Sequence, residues 1–384
     1  MNLFKYIKGD KVIWIVVLLL SIISVLVVYS AVVALAYRYK GGDTTSYLIK
    51  HVFIICSGIL LMYLVHKVKY SYFSRMSQIA VILSYPLLLY TLFFGLSAGE
   101  ASRWISIPGT SLTFQTSDFA KLAIITYVAR TLSMKQKNIN DFYKSFVPIV
   151  LPIIGICLLI LPANFSTAAL LFLTCFVLMF IGRVHWKHLL VIVGSCLAAI
   201  GLIITLIFVA PDVLPRGKTW KARIENFISG DSKSNFQAEQ AKVAIATGGL
   251  FGKGPGNSTQ RNFLPQASSD FIFAILIEEW GFLTAFIIIF LYLILLYRGV
   301  RIANNSQQRF GTLLAFGLSF NLVFQAMINM AVAVNLFPVT GQPLPLVSMG
   351  GTSIWFTSIA VGMLLSISHG IKSLKHKGGE IATA

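Results

Sequence analysis

The strongest constraint on this chain is a succession of apolar stretches, each about as long as the ~20 residues that cross a bilayer as a helix. Ten such stretches run at 12–37, 49–66, 76–97, 117–133, 145–162, 165–182, 187–209, 271–298, 310–335 and 350–371. In lipid every backbone N–H and C=O must be paired internally, and a helix does this within one segment. Of the 384 residues, 57% are hydrophobic and 11% are charged, where a soluble domain carries about one-quarter charged residues. A soluble enzyme, a disordered chain and a fibrous rod are all excluded. The expectation is an all-α polytopic membrane protein forming one domain, 1–384, with ten transmembrane helices. One large extracytoplasmic loop, 210–270, joins helices seven and eight. Lys5, Lys8 and Lys11 precede the first stretch as in a signal peptide, but that stretch is too long for a cleaved leader and reads as an anchor.

The net charge of +18 would suggest nucleic acid in a soluble protein. Here the loops decide otherwise. With the N-terminus inside, cytoplasmic segments hold eighteen Lys and Arg and the short outer loops hold four, Arg38, Lys40, Lys50 and Arg103. That asymmetry is the positive-inside pattern. It predicts both termini in the cytoplasm, and no nucleic-acid partner. Cys56, Cys157, Cys175 and Cys196 show no metal-ligand or redox spacing and are expected as small buried residues. The six histidines form no ligand set, so no metal site is predicted.

The chemistry is expected on the outer face. The large loop opens with Arg216, Lys218, Lys221 and Arg223 beside Trp220 and Phe227, which suits an interfacial helix among anionic headgroups. Gly248, Gly249, Gly252, Gly254 and Gly256 follow. They fit neither a P-loop nor a dinucleotide fingerprint, leaving a pyrophosphate cradle on a lipid carrier or a flexible turn. Asp270 stands at the mouth of span eight after Ser268 and Ser269, either as an N-terminal helix charge or as a catalytic carboxylate. Glu278 and Glu279 lie deeper and require partners or a water-filled cavity. Asp118 and Lys121 share one helix face, either as a self-neutralising pair or as a cavity wall. The proline- and glycine-rich stretch 335–353 is expected to re-enter the membrane beside that cavity.

Five stretches in order, ASRWI (101–105), FQTSDFAK (114–121), GGLFGKGPGNS (248–258), SDFIFAILIEE (269–279) and PLPLVSMGGTS (343–353), resemble the SEDS family, the bacterial FtsW and RodA proteins of shape, elongation, division and sporulation. The resemblance runs over nearly the whole chain, and the GPGNS ending looks more like the division type. Two departures stand out. Gln115-Thr116-Ser117-Asp118 replaces the usual QPSE, and Asn164 stands where many members carry an Asp.

The resemblance implies a peptidoglycan glycosyltransferase that polymerises lipid II into glycan strands for the septal wall. It implies Asp270 as the catalytic residue, and Arg103, Trp104, Asp118 and Lys121 as cavity residues. Arg216, Lys218, Lys242, Lys253 and Arg261 form a pool of pyrophosphate binders, with Ser348 on the substrate side of the re-entrant stretch. It also implies a class B penicillin-binding transpeptidase and other divisome membrane proteins as partners, docking on spans eight and nine near Gly317 or Ala326. No cofactor is indicated, and a divalent cation is left open. The rival readings are a lipid II flippase, an elongation-type polymerase and a non-catalytic divisome scaffold.

Overall fold

The computed structural model describes residues 8–39, 41–98, 101–106, 109, 113–213, 217, 221, 225, 236–264 and 266–382. Its helices are α1 (Lys11–Ala31), α2 (Val33–Tyr39), α3 (Thr44–Lys67), α4 (Tyr70–Phe94), α5 (Thr116–Met134) and α6 (Val147–Ile160). They continue with α7 (Phe165–Ile181), α8 (Trp186–Val209), α9 (Phe236–Gly248), α10 (Ile272–Asn305), α11 (Arg309–Ala333) and α12 (Thr352–Ala382). Among the described residues, eight helical segments are long and apolar enough to cross a membrane, and Phe165–Ile181 is a shorter apolar helix. The expected span 117–133 is also a helix, α5, but it carries Asp118, Lys121 and Arg130.

The all-α expectation needs one correction. Between α4 and α5 the chain forms three short antiparallel strands, β1 (Leu96–Ala98), β2 (Ala101–Ser106) and β3 (Thr113–Gln115), in the order β1-β2-β3. These segments are too short and too polar to register as strands by periodicity, and the sheet exists because the strands pair with one another. Trp104 lies opposite Gln115 in that register.

Capping and ion pairing set the helix ends. Asp10 caps α1 by accepting from the Val12 N–H at 2.9 Å, and Arg298 of α10 donates to the same carboxylate at 2.7 Å through Nε. Asn164 caps α7, accepting from the Thr167 N–H at 3.1 Å. Asn suits this neutral role, since Asn and Asp cap about equally well.

The core lies where α10, α11, α5 and α1 meet, and Leu20, Ile124, Leu314 and Tyr292 are fully buried there. Gly317 and Ala326 sit inside it. A Cβ on Gly317 would come within 2.8 Å of Leu178 and 3.1 Å of Ile125, and Ala326 is fully buried. The expected docking surface at those two residues is therefore corrected: the large apolar residues that α10 exposes are Phe282, Leu283, Phe286, Ile287, Phe290, Leu293 and Tyr297. The cysteine expectation holds for Cys157 and Cys175, whereas Cys56 is exposed and Cys196 half-buried, because an apolar run in lipid has a lipid-facing side as well as a core side.

Candidate active site

The glycine-rich stretch and the first turns of α10 form one unit. Gly281 has φ 77° and ψ 176° inside α10, which breaks the helix and frees backbone groups on both sides of the break. The loop satisfies them. The Lys253 and Gly254 N–H groups donate to the Glu278 and Glu279 carbonyls, each at 2.9 Å, and the Phe282 N–H donates to the Gly249 carbonyl at 3.0 Å. Contact is close enough that a Cβ on Gly252 would lie 2.2 Å from the Glu279 carbonyl oxygen, and one on Gly281 2.2 Å from that of Leu250. The N–H groups of Lys253 and Gly254 are thus committed to a broken helix. The loop is neither a free phosphate cradle nor a loose turn. Helix α9 lies against the same unit through Ala238, Ala241, Ala244 and Gly248, small residues that allow backbones to approach.

Glu278 and Glu279 are essentially fully buried, and the loop supplies their partners. Glu278 accepts from Lys253 Nζ at 2.7 Å, from the Thr259 N–H at 3.1 Å, from the Thr259 hydroxyl at 2.9 Å and from the Ser258 hydroxyl. Glu279 accepts from the Ser30 hydroxyl of α1 and from the Ser258 N–H at 3.3 Å. Arg261 donates to the Ser30 hydroxyl at 2.6 Å and lies 3.8 Å from Glu279. This density of donors is what a buried carboxylate requires. It also places Lys253 and Arg261, expected on the pyrophosphate, beside carboxylates. Lys242 likewise pairs with Glu239 at 2.8 Å on α9. Arg216 and Lys218, with Trp220, Arg223 and Phe227, lie outside the described residues.

Asp270 occupies the turn before α10. The helix begins at Ile272 with Phe271 as its cap residue and no side-chain cap bond; the Ser269 hydroxyl donates instead to Gln266 Oε1 at 2.7 Å. Asp270 thus stands two residues before the first helical residue, where its charge still faces the N-terminal end of α10. The turn is held from below by its backbone. Asn329 Nδ2 donates to the Asp270 carbonyl at 2.8 Å and to the Gln342 carbonyl at 2.7 Å. The Ser348 hydroxyl donates to the Ser269 carbonyl at 2.5 Å while accepting from the Leu344 N–H at 2.8 Å, and the Met349 N–H donates to the Ser268 carbonyl at 2.9 Å. Ser348 is 1% exposed, so its place is as a clamp on the Asp270 turn and not as a surface for substrate. Asn329 is a candidate positioning residue that sequence reading missed. The available signal was an amide within the apolar stretch 310–335, which holds Asn321, Asn329 and Asn335, because a buried amide in a membrane helix must have partners.

Arg103 approaches Asp270 from the sheet. Its Nε donates to the Ala163 carbonyl at 3.1 Å. A Cβ built on Gly341 (φ +66°) would stand 3.4 Å from Arg103 Nη1 and 3.6 Å from Asp270 Oδ2, so a guanidinium and a carboxylate both border this one glycine. Trp104 turns elsewhere: its Nε1 donates at 3.2 Å to Gln115, its cross-strand partner, as expected where successive strand residues point to opposite faces. Arg103 also lines a cleft of about 350 Å³ with Thr116, Ser117 and Asn164.

Asp118 and Lys121 form a second polar cluster. They pair at 2.7 Å and are nearly buried. Lys121 also donates to Gln325 Oε1 at 3.3 Å, and Gln325 Nε2 donates to the Pro343 carbonyl at 3.0 Å. They line a cavity of about 440 Å³ with Asn321, Ser353 and Thr357. The proline-rich stretch links the two clusters: Pro343 meets the lysine's partner, and Gln342 shares Asn329 with Asp270. Among the described residues, no group of three or more His, Cys, Asp or Glu is placed to hold a metal ion.

A chain of long apolar helices around a buried polar seam is an integral membrane protein. Residues 10–373 match the model of the FtsW, RodA and SpoVE cell cycle proteins, and the chain belongs to that family. It is 34% identical over 370 residues to stage V sporulation protein E of Bacillus subtilis, covering 95% of this chain and 98% of that protein. It is 32% identical over 377 residues to the probable peptidoglycan glycosyltransferase FtsW of Trichlorobacter lovleyi, covering 96% and 95%. The fold resembles a chain from a peptidoglycan synthase complex solved for its coordination of polymerization and crosslinking, with TM-score 0.75, 22% identity and 94% and 98% coverage. It also resembles the rod shape determining protein RodA of Thermus thermophilus, with TM-score 0.68, 23% identity and 94% and 96% coverage.

Proposed function

We propose that this chain is a peptidoglycan glycosyltransferase that polymerises lipid II at the outer face of the bacterial cytoplasmic membrane, in septal wall synthesis. Its ten spans comprise the eight long apolar helical segments together with α5 and α7. Both termini are cytoplasmic, and the Asp270 turn faces outward. The observation that carries this reading is the approach of Arg103 and Asp270 to the same glycine, Gly341, beside a turn fixed by Asn329 and Ser348. Asp270 serves as general base, accepting the proton of the acceptor sugar hydroxyl. As that oxygen bonds to donor C1, the C1–oxygen bond to pyrophosphate breaks and the lipid pyrophosphate leaves as an anion. One displacement inverts the anomeric carbon without a covalent intermediate. Arg103 is the cation the site offers to developing negative charge. Arg216 and Lys218 remain candidates for the pyrophosphate on sequence grounds.

No resident cofactor enters this scheme, and a divalent cation is a variable for the assay. The partner is a class B penicillin-binding transpeptidase, seated with other divisome membrane proteins on the exposed apolar side of α10. Support comes from the peptidoglycan synthase complex that the fold resembles.

One observation favours a second reading, a lipid II flippase: the Asp118–Lys121 pair in a cavity at membrane depth. Reconstitution separates the two. Proteoliposomes given outward-facing lipid II should yield glycan polymer. Translocation without polymer would establish the flippase, and neither activity would leave a scaffold. In a cysteine-free background, a cysteine at Ser232 should react with an impermeant reagent from the outer face. Reaction only after inner-membrane lysis would reverse the orientation.

A further inference from the structure

At the membrane boundary where α5 and α7 end and α11 begins, an open cavity of about 610 Å³ is lined by Gln136, Arg183, Arg309 and Thr312, with Ile181 and Leu313 on its apolar side. None of its lining residues is acidic. Both arginines are exposed. Among the described residues Arg183 makes no ion pair, and Arg309 bonds through Nη1 to the neutral Gln136 Oε1 at 3.1 Å. Gln136 Nε2 donates to the Leu132 carbonyl at 3.0 Å and to the Gly182 carbonyl at 2.9 Å. Two carbonyls at the ends of α5 and α7, those of Leu132 and Gly182, are therefore engaged, and the one acceptor on Gln136 is taken by Arg309. What remains around the cavity is a surplus of cationic N–H donors. On the same turn as Arg183, Phe180 is 69% exposed and Ile181 is 36% exposed, an apolar edge directly beside the charges.

We infer that this cavity binds the phosphate of an anionic glycerophospholipid, with the acyl chains lying along Phe180 and Ile181. The positive-inside pattern accounts for arginines on this side of the membrane, but not for two of them from separate helix ends facing one acid-free cavity. Arginine grips a phosphate through two parallel N–H bonds, and a basic pocket between helices at the headgroup level is the setting in which such lipids are held. A free phosphate ion offers the same head chemistry without the apolar chains, and the exposed apolar edge favours the lipid. The inference goes beyond the polymerase reading and uses neither Asp270 nor its substrate.

The test is lipid retention by the delipidated full-length chain in detergent, read by native mass spectrometry during titration with phosphatidylglycerol, phosphatidylcholine or inorganic phosphate. Phosphatidylglycerol should bind saturably and phosphatidylcholine far less. The double variant Arg183→Gln/Arg309→Gln should bind phosphatidylglycerol roughly 25-fold more weakly, the worth of two cations at the headgroup level. Arg301→Gln removes an exposed charge outside the cavity and should bind as the unmodified chain does. Should the double variant not purify as a single species, Arg309→Gln alone should show roughly a fivefold loss. Unchanged binding in the charge-neutralised variants, an equal loss in Arg301→Gln, or displacement of the lipid by equimolar inorganic phosphate would each overturn the assignment.

Discussion

The side-chain amide of Asn329 holds the main-chain carbonyl of Asp270 at 2.8 Å, and its second proton holds that of Gln342 at 2.7 Å. One buried amide thus fixes the turn bearing the proposed base to the stretch bearing Gly341. Asn329→Ala leaves two carbonyls without this donor, at about 1–3 kcal/mol each where water cannot replace it. Polymerisation should fall more than tenfold while lipid II binding changes little. Activity and thermal unfolding measured on the same preparation separate the outcomes, and an unfolding shift with normal turnover would make Asn329 purely structural.

Asp270→Asn keeps size and polarity and removes basicity. Polymerisation should drop by roughly 10²–10⁴-fold, with insertion and lipid II binding retained. Asp270→Glu should rescue poorly, because catalytic geometry tolerates only about half an ångström of displacement. A folded Asp270→Asn protein turning over at the normal rate would exclude the assignment and redirect the search to Glu239 or Glu225.

Gly341→Ala tests the space between Arg103 and Asp270. The new methyl would sit 3.4 Å from one and 3.6 Å from the other, on a backbone whose positive φ costs an L-residue about 1–2 kcal/mol. Polymerisation should fall by more than that cost implies, and Gly341→Val should be worse. If kcat and KM are both unchanged in Gly341→Ala, substrate does not pass between those two side chains.

Lys121→Met leaves the buried Asp118 carboxylate without its cation, at a cost of about 3–5 kcal/mol. The double variant Asp118→Asn/Lys121→Met should recover most of that stability in a thermal unfolding assay. If the pair also lines the substrate path, the recovered protein should remain inactive. A stable and fully active double variant would reduce the pair to scaffold.

Gly281→Ala should not accumulate in membranes. Its Cβ would fall 2.2 Å from the Leu250 carbonyl oxygen, and its positive φ would be strained besides. Gly249→Ala also carries the strain of a positive φ but meets no neighbour, so it should accumulate at a reduced level. Equal expression of the two would show that the loop does not pack on α10 as described.

By itself the sequence determined that the chain is a bundle of apolar helices, and where most of them lie, because burial of backbone in lipid demands long uninterrupted runs. It also singled out Asp118, Lys121 and Asp270, since charges in or beside such runs are scarce, and the family resemblance added Arg103. Tertiary structure decided which of these meet. The glycines at 248–256 gave no sign in sequence that their partner was a helix break at Gly281, because that close packing joins segments on different elements. The buried carboxylates Glu278 and Glu279 needed partners, but only the folded loop supplied Ser258, Thr259, Lys253 and Arg261. Arg103 and Asp270 are brought to one glycine by a small sheet, a turn and a proline- and glycine-rich stretch far apart in the chain. No periodicity encodes that approach; it arises when apolar helices pack and their polar connections must find one another out of reach of bulk water.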